Sequence, residues 1–245
     1  MSKLKIEVLF SEHANLFGDT ANIRYLKLCI PEAEFIYTAL SEEPRFLTEE
    51  INMVYMGPMT ENTQAIVIEK LSPLKKDIQS KLDSGLVFLF TGNALEVLGK
   101  YIETDEGEKL PALGIFDYYA KRDMFHRHNS ETLCELEGMK VMGFKSQFTQ
   151  CYPISKINPF AHVIKGMGMN RESKEEGIRY NNFIGTYLLG PILVNNPCFT
   201  EYLLKLIGAN DAKPAFLEAS QAAYDERLKD FMDKVPDNVG KYHYM

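Results

Sequence analysis

The sequence predicts an α/β protein: an open, mostly parallel sheet in three layers, with helices on both faces and a β-rich extension at one edge. Three observations carry this. Short strand-like apolar segments alternate with helical patterns over residues 5–90, an alternation that builds a parallel sheet. Residues 86–90 (LVFLF) are a continuous β-favouring apolar run, as expected of a strand covered on both faces. Residues 111–152 break the alternation, with short strand candidates (ALGIFDYY, KVMGF) and few helical repeats between them.

In chain order, residues 5–10 (KIEVLF) read as the first strand, and 21–29 as a helix closed by Pro31. Residues 34–40 (EFIYTAL) and 53–56 (MVYM) read as two more strands. Val67, Leu71, Leu74, Ile78 and Leu82 recur at spacings of three and four, which places them on one helical face. Ser72-Pro73 divides that stretch into two helices as an N-cap followed by proline, and Asp83-Ser84-Gly85 closes it. Residues 182–189 (NFIGTYLL) read as a strand and 198–207 as a helix. A final amphipathic helix over about 213–235 is marked by Leu217, Tyr224, Leu228, Phe231 and Val235, and the terminal GKYHYM reads as frayed.

With 245 residues, no repeat and no Pro/Gly/Ser-rich linker, a single domain over 1–245 is expected. A net charge of −7 argues against a nucleic-acid or anionic-membrane partner. Neither a signal peptide nor a membrane span is read in the chain. Cys29, Cys134, Cys151 and Cys198 are far apart with no CxxC. They read as reduced thiols of a cytoplasmic protein rather than a disulfide or zinc framework. No metal or cofactor is expected.

Ligands of open parallel sheets bind beyond the carboxyl ends of the strands. Residues 57–64 (GPMTENTQ), 91–99 (TGNALEVLG) and 189–191 (LGP) leave strands at that edge, so a site is expected from these turns.

LVFLF-TGNALEVLG is a strand–turn–helix pattern of the kind that carries a nucleophile, and it resembles the C-x-G-x-Q-x-L-G elbow of class I glutamine amidotransferases. Five further segments support the resemblance in order. NLFGDTAN (15–22) resembles NLYGDRGN. MGPMTENTQ (56–64) resembles a segment containing GGGQDREQ. LGKYIETDEGEKLPALGIFDYY (98–119) resembles the stretch after the nucleophile. GFKSQFTQCY (143–152) resembles GFENHGGRTY, and EEGIRYNNFIGTYLLGP (175–191) resembles EGVRYKNVFGTYLHGP. The pattern is that of the cobyric-acid-synthase-like (CobB/CobQ-like) amidotransferases, nearest to the glutaminase subunits of lipid II isoglutaminyl synthases, and it covers roughly residues 5–207. It implies a flavodoxin-like three-layer fold.

The departures fall at the chemistry. The resemblance places the nucleophilic cysteine at Gly92, which has no side chain to attack with. It places the general base at Leu189, which carries no proton. The glycine-rich loop that would give oxyanion N–H donors is Gly57-Pro58-Met59, and proline has no N–H. The substrate-holding arginine corresponds to Gln150, and Lys145 stands where the family has glutamate. The chain is therefore read as a catalytically degenerate relative without catalytic residues. Gly57, Asn93, Glu96, Lys145 and Gln150 are the candidate lining of a ligand pocket. Asn93 and Glu96 either hydrogen-bond a ligand or satisfy the turn.

Cys151 reads as a small buried hydrophobe. His126 and His128 read as a solvated loop, with metal binding from one strand face as the alternative. Asn15, Gly18, Asp19 and Asn22 read as turn and N-cap chemistry, with a partner-facing turn as the alternative. Three functions remain open: a non-hydrolysing partner or regulatory subunit of a Mur-ligase-like amide ligase, a remodelled pocket for a small amide or amino acid, and an active glutaminase.

Overall fold

The protein is described by a computed structural model over residues 3–234. β1 (Lys5–Leu9) and β2 (Glu34–Thr38) are parallel neighbours connected through α1 (Ala21–Cys29). β3 (Met53–Met56) pairs with the other side of β1. α2 (Glu61–Leu71) and α3 (Lys75–Asp83) then lead to β4 (Val87–Thr91), parallel to β3. The middle of the chain supplies β5 (Tyr101–Glu103), β6 (Lys109–Pro111), β7 (Tyr118–Arg122), β8 (His128–Leu136), β9 (Met139–Gln147), β10 (Thr149–Pro153), β11 (Ala161–Lys165) and β12 (Glu175–Glu176). β13 (Ile178–Tyr180) and β14 (Phe183–Thr186) return to the first sheet, and α4 (Ile192–Asn195), α5 (Pro197–Leu206) and α6 (Leu217–Lys234) follow.

The central sheet has the order β13-β14-β4-β3-β1-β2, parallel throughout except for the β13 edge. The β-rich section forms two further four-stranded sheets, β10-β7-β5-β6 and β12-β11-β8-β9. Strand alternation sorts the central core. Val87 and Leu89 join the apolar layer of α1 and α5, while Phe88 and Phe90 join that of α2 and α3. All of β4 is therefore buried, which is why its sequence carries no polar alternation.

Several elements end earlier than the sequence predicts. Phe10 takes φ 55°, which stops β1 one residue short. The strand expected over 182–189 stops at Thr186, and Leu189 then forms an isolated antiparallel bridge with Phe144. Of ALGIFDYY, only Tyr118 and Tyr119 enter a strand. Ser72-Pro73 lies in a tight turn between α2 and α3, and the Ser72 hydroxyl donates back to the Ile68 carbonyl at 2.7 Å. That hydroxyl does not cap α3. The final helix begins at Leu217 and packs on its own chain: Phe231 is buried with Leu133 and Met142, and Tyr224 Oη donates to the Lys140 carbonyl at 2.8 Å. Val235 and the terminal GKYHYM lie outside the described residues. Among those described, no helix is long and apolar enough to cross a membrane.

Candidate functional site

β3, β4 and β14 run side by side in register, with Met56 opposite Phe90 and Thr91 opposite Thr186. Their carboxyl ends deliver the turns at 57–60, 92–98 and 187–191 to one edge, where a doubly wound sheet binds ligands. These turns meet around a cavity of about 310 Å³.

Its floor is the elbow after β4. Gly92 has φ +58°, a left-handed conformation that disfavours any side chain. A Cβ built there would lie 2.6 Å from Pro58 Cβ. Pro58 thus fills the space that a nucleophile's side chain would need. The rest of the turn, Gly92–Leu98, is a tight 3-10 segment whose side chains are almost wholly buried.

The loop above the elbow is tied to it by Asn93. Asn93 Oδ1 accepts from the Met59 N–H at 2.9 Å, and Asn93 Nδ2 donates to the Met59 carbonyl at 2.8 Å. Pro58 has no N–H, and the next N–H in the loop is thereby already used. The far wall is Leu189, 2% exposed and lining the same cavity as Gly92. A branched alkyl chain stands where the resemblance puts an imidazole.

Of the residues expected around a ligand, Asn93 lines the cavity and Gly57, Glu96, Lys145 and Gln150 do not. Gly57 sits against the Ala14 carbonyl, where a Cβ would come within 2.5 Å of its oxygen. Glu96 lies under the elbow, 1% exposed. It accepts from Tyr187 Oη at 2.7 Å, from Gln64 Nε2 at 2.8 Å and from Thr149 Oγ1. Burial raises its pKa, and the three donors pull the other way. Lys145 is wholly buried, paired with Glu176 and donating to the Gly168 carbonyl at 2.8 Å. A buried ammonium requires such a partner, so Lys145 ties β9 to β12. Gln150 faces His128, 2.9 Å between Nε2 atoms, and accepts from the Arg171 N–H at 2.9 Å.

The NLFGDTAN turn divides. Asn15 Oδ1 accepts from the backbone N–H and hydroxyl of Thr20 at 3.0 and 2.8 Å, which is turn chemistry. Asp19 and Asn22 are buried rather than displayed. Asp19 accepts from Tyr55 and Thr91 hydroxyls and from Asn22 Nδ2 at 3.1 Å. Burial raises the Asp19 pKa. Phe17, 50% exposed, is the residue of this turn that reaches the cavity rim with Leu16.

Cys151 is buried, 2.9 Å from Tyr187 Oη, with its thiol pushed well up by burial and by Glu96. That disfavours the thiolate. His126 is exposed against Asp123, whereas His128 is buried and its pKa lowered by burial. His126 pairs with Asp123 whereas His128 contacts Gln150 and Arg171, and no group of three or more His, Cys, Asp or Glu able to hold a metal occurs among the described residues.

The sequence reading missed Arg127, Gln147, Phe148, Thr149 and Tyr187, all of which line the cavity. Arg127 is 4.1 Å from the Phe148 ring centroid and donates through Nη1 to Ser146 Oγ at 3.1 Å. Gln147, 7% exposed, donates through Nε2 to the Thr149 carbonyl at 2.6 Å, but its Oε1 has no partner among the described residues. Alternation along β9 was the available signal, since Gln147 shares a face with Lys145.

Residues 5–197 match the CobB/CobQ-like glutamine amidotransferase domain. The chain is similar to the GatD subunit of lipid II isoglutaminyl synthase (glutamine-hydrolyzing) from Staphylococcus aureus (strain N315), 29% identical over 208 residues that span 84% of each chain. It is also similar to the subunit of that name from Streptococcus pneumoniae (strain ATCC BAA-255 / R6), 24% identical over 95% of this chain and 93% of the relative. Among solved structures, a glutamine amidotransferase aligns with TM-score 0.56 at 14% identity, covering 83% of this chain and 98% of that one. PurLQS from Thermotoga maritima aligns with TM-score 0.55 at 13% identity, over 93% and 100% of the two chains. At these identities the solved structures speak to the fold.

Proposed function

We propose that this chain, which belongs to the CobB/CobQ-like glutamine amidotransferase family, is a non-hydrolysing member that serves as a partner or regulatory subunit of a Mur-ligase-like amide ligase. The observation that carries the first half is the elbow. Amide hydrolysis by this route needs a nucleophile and a base in contact with it. Gly92 supplies no side chain, Pro58 occupies its place, and Leu189 supplies only carbon. Among the described residues lining the cavity there is neither a thiol nor an imidazole, and Cys151 is a buried thiol hydrogen-bonded to Tyr187. Oxyanion stabilisation contributes a large share of acyl-transfer catalysis, and here one loop position is proline and the next N–H is bound to Asn93.

The second half rests on the relatives, which are named as subunits of a lipid II isoglutaminyl synthase and are matched over most of their length. A scaffold kept while its chemistry is gone fits selection for binding. The test is co-purification of the full chain with a candidate Mur-ligase-like protein from the same source. A stoichiometric complex is expected, and two separately migrating proteins would end the subunit reading.

A second reading is favoured by one specific observation. Among the described residues, Gln147 Oε1 is an acceptor without a partner, on a buried residue that lines the cavity. Buried polar atoms are rarely left so. With the Arg127 guanidinium at the same cavity, this fits a small amino acid or amide that donates an N–H and presents a carboxylate.

A further inference from the structure

We infer that Asn93 is the specificity-determining residue of the cavity: its side-chain carboxamide is a built-in ligand that occupies the position where an external carboxamide would pair with the loop. This rests on reading the cavity as a degenerate amide site.

A primary carboxamide has one acceptor oxygen and one donor NH₂ on the same carbon. The N–H and C=O of one extended residue point the same way and offer the complementary pair, and the two join through a cyclic pair of hydrogen bonds. Asn93 makes that pair with Met59, with distances of 2.9 and 2.8 Å. Three further features make it a held position rather than a passing contact. The Asn93 carbonyl is fixed by Gln64 Nε2 at 2.8 Å, and Gln64 is itself buried against Glu96. The loop is fixed from the other side, because the Pro58 carbonyl accepts from the Leu16 N–H at 3.0 Å. Thr60 then starts α2, its hydroxyl accepting from the Thr63 N–H at 3.2 Å. Loop and elbow are thus preorganised, and the amide between them comes from the chain itself.

Selectivity follows from the polar groups left over. A ligand carboxamide cannot reach the Met59 pair unless Asn93 lets go, which leaves two buried backbone groups to be repaired. Among the described residues, Gln147 Oε1 is left without a partner, and the Arg127 guanidinium stands at the same cavity. Of the two classes in the second reading above, the wild-type cavity therefore takes an amino acid without a side-chain amide in preference to one with it.

The experiment removes the internal amide and returns it in solution. Asn93→Gly deletes a side chain equivalent to acetamide. Full-length Asn93→Gly is titrated with acetamide and with glutamine, following melting temperature and calorimetric binding. Wild type and Asn93→Asp run in parallel, since aspartate keeps the acceptor for the Met59 N–H and loses the donor. Saturable stabilisation by acetamide is expected for Asn93→Gly alone, with glutamine bound at least tenfold more tightly than by wild type. If Asn93→Gly does not fold, Asn93→Ser, which also vacates the pair, is read in its place. Equal glutamine affinity in wild type, an equal acetamide response in Asn93→Asp, or no response in a folded Gly or Ser variant overturns the inference. Ammonia release by wild type would instead overturn the non-hydrolysing reading, and is scored separately.

Discussion

Restoring the family's nucleophile should damage this protein before it can help it. Gly92→Cys places an L side chain at φ +58°, with its Cβ 2.6 Å from Pro58 Cβ. Left-handed backbone costs an L residue about 1–2 kcal/mol. Carbon atoms pack at about 3.5–4 Å, so the collision is a case of overpacking, which costs about 1–3 kcal/mol. The sum is a loss of about 2–5 kcal/mol. For a chain of this size each kcal/mol lowers Tm by about 2–4 °C, so the drop should be on the order of 4–20 °C. Gly92→Ala carries the same Cβ without sulfur and should show the same loss. Pro58→Gly added to Gly92→Cys should return the steric part, about 1–3 kcal/mol, less about 0.4–1 kcal/mol for the freer unfolded chain. Urea unfolding followed by circular dichroism measures all three. A Gly92→Ala protein within about 0.5 kcal/mol of wild type, the range of an ordinary surface change, would refute the claim that Pro58 closes the elbow.

Other perturbations probe the neighbours of the elbow. Leu189→Ala empties a buried site and should cost about 2–5 kcal/mol by urea unfolding; a neutral result would mean that Leu189 is not packed at the cavity wall. Asp19→Ala removes the buried carboxylate that accepts from the Tyr55 and Thr91 hydroxyls and from Asn22 Nδ2, leaving Tyr55 and Asn22 the backbone carbonyl of residue 19 at 3.0 Å each, and should cost about 1–3 kcal/mol. If it instead left stability intact and abolished partner binding, the buried placement of Asp19 would be wrong. Glu96 has its folded pKa raised above the ordinary 4.5, so the folded state holds that proton more tightly than the unfolded one. Its contribution is fully present below pH 4.5 and declines as pH rises through the folded value. The stability of Glu96→Gln relative to wild type should therefore climb as pH rises from about 4.5 toward neutrality, and parallel urea midpoints across that range would contradict it.

How much of this was legible in the sequence depends on the range of the interaction. β3 and α1 match their sequence bounds, because apolar runs and a following proline are local signals. β4 shifts by one residue to include Thr91, whose hydroxyl is bound to Asp19, a contact across 72 residues that no window reveals. The sequence puts a turn after β4, and one follows it; for Glu96 the sequence leaves a ligand contact and turn satisfaction equally open. A tight 3-10 turn rather than an α-helix follows Gly92 and carries Glu96 under the site toward Tyr187 and Thr149. Lys145 was expected in the pocket as a changed charge; it is matched by Glu176, 31 residues on, in another strand. Arg127 and Gln147 reach the cavity because the β8–β9 hairpin brings their ends together, His128 opposite Gln147. Register of that kind is settled by the sheet as a whole and not by the residues at its end.

The central claim is that the site no longer hydrolyses amides, and ammonia release from glutamine tests it most directly. Purified full-length protein at high concentration is incubated with millimolar glutamine, alone and with a candidate Mur-ligase-like protein, and ammonia and glutamate are quantified together over hours. Because Gly92 has no side chain, Leu189 offers only carbon and Pro58 lies against the elbow, both products should stay at the level of the enzyme-free blank in both arms. Stoichiometric ammonia and glutamate accumulating in proportion to protein concentration, in either arm, would contradict the account.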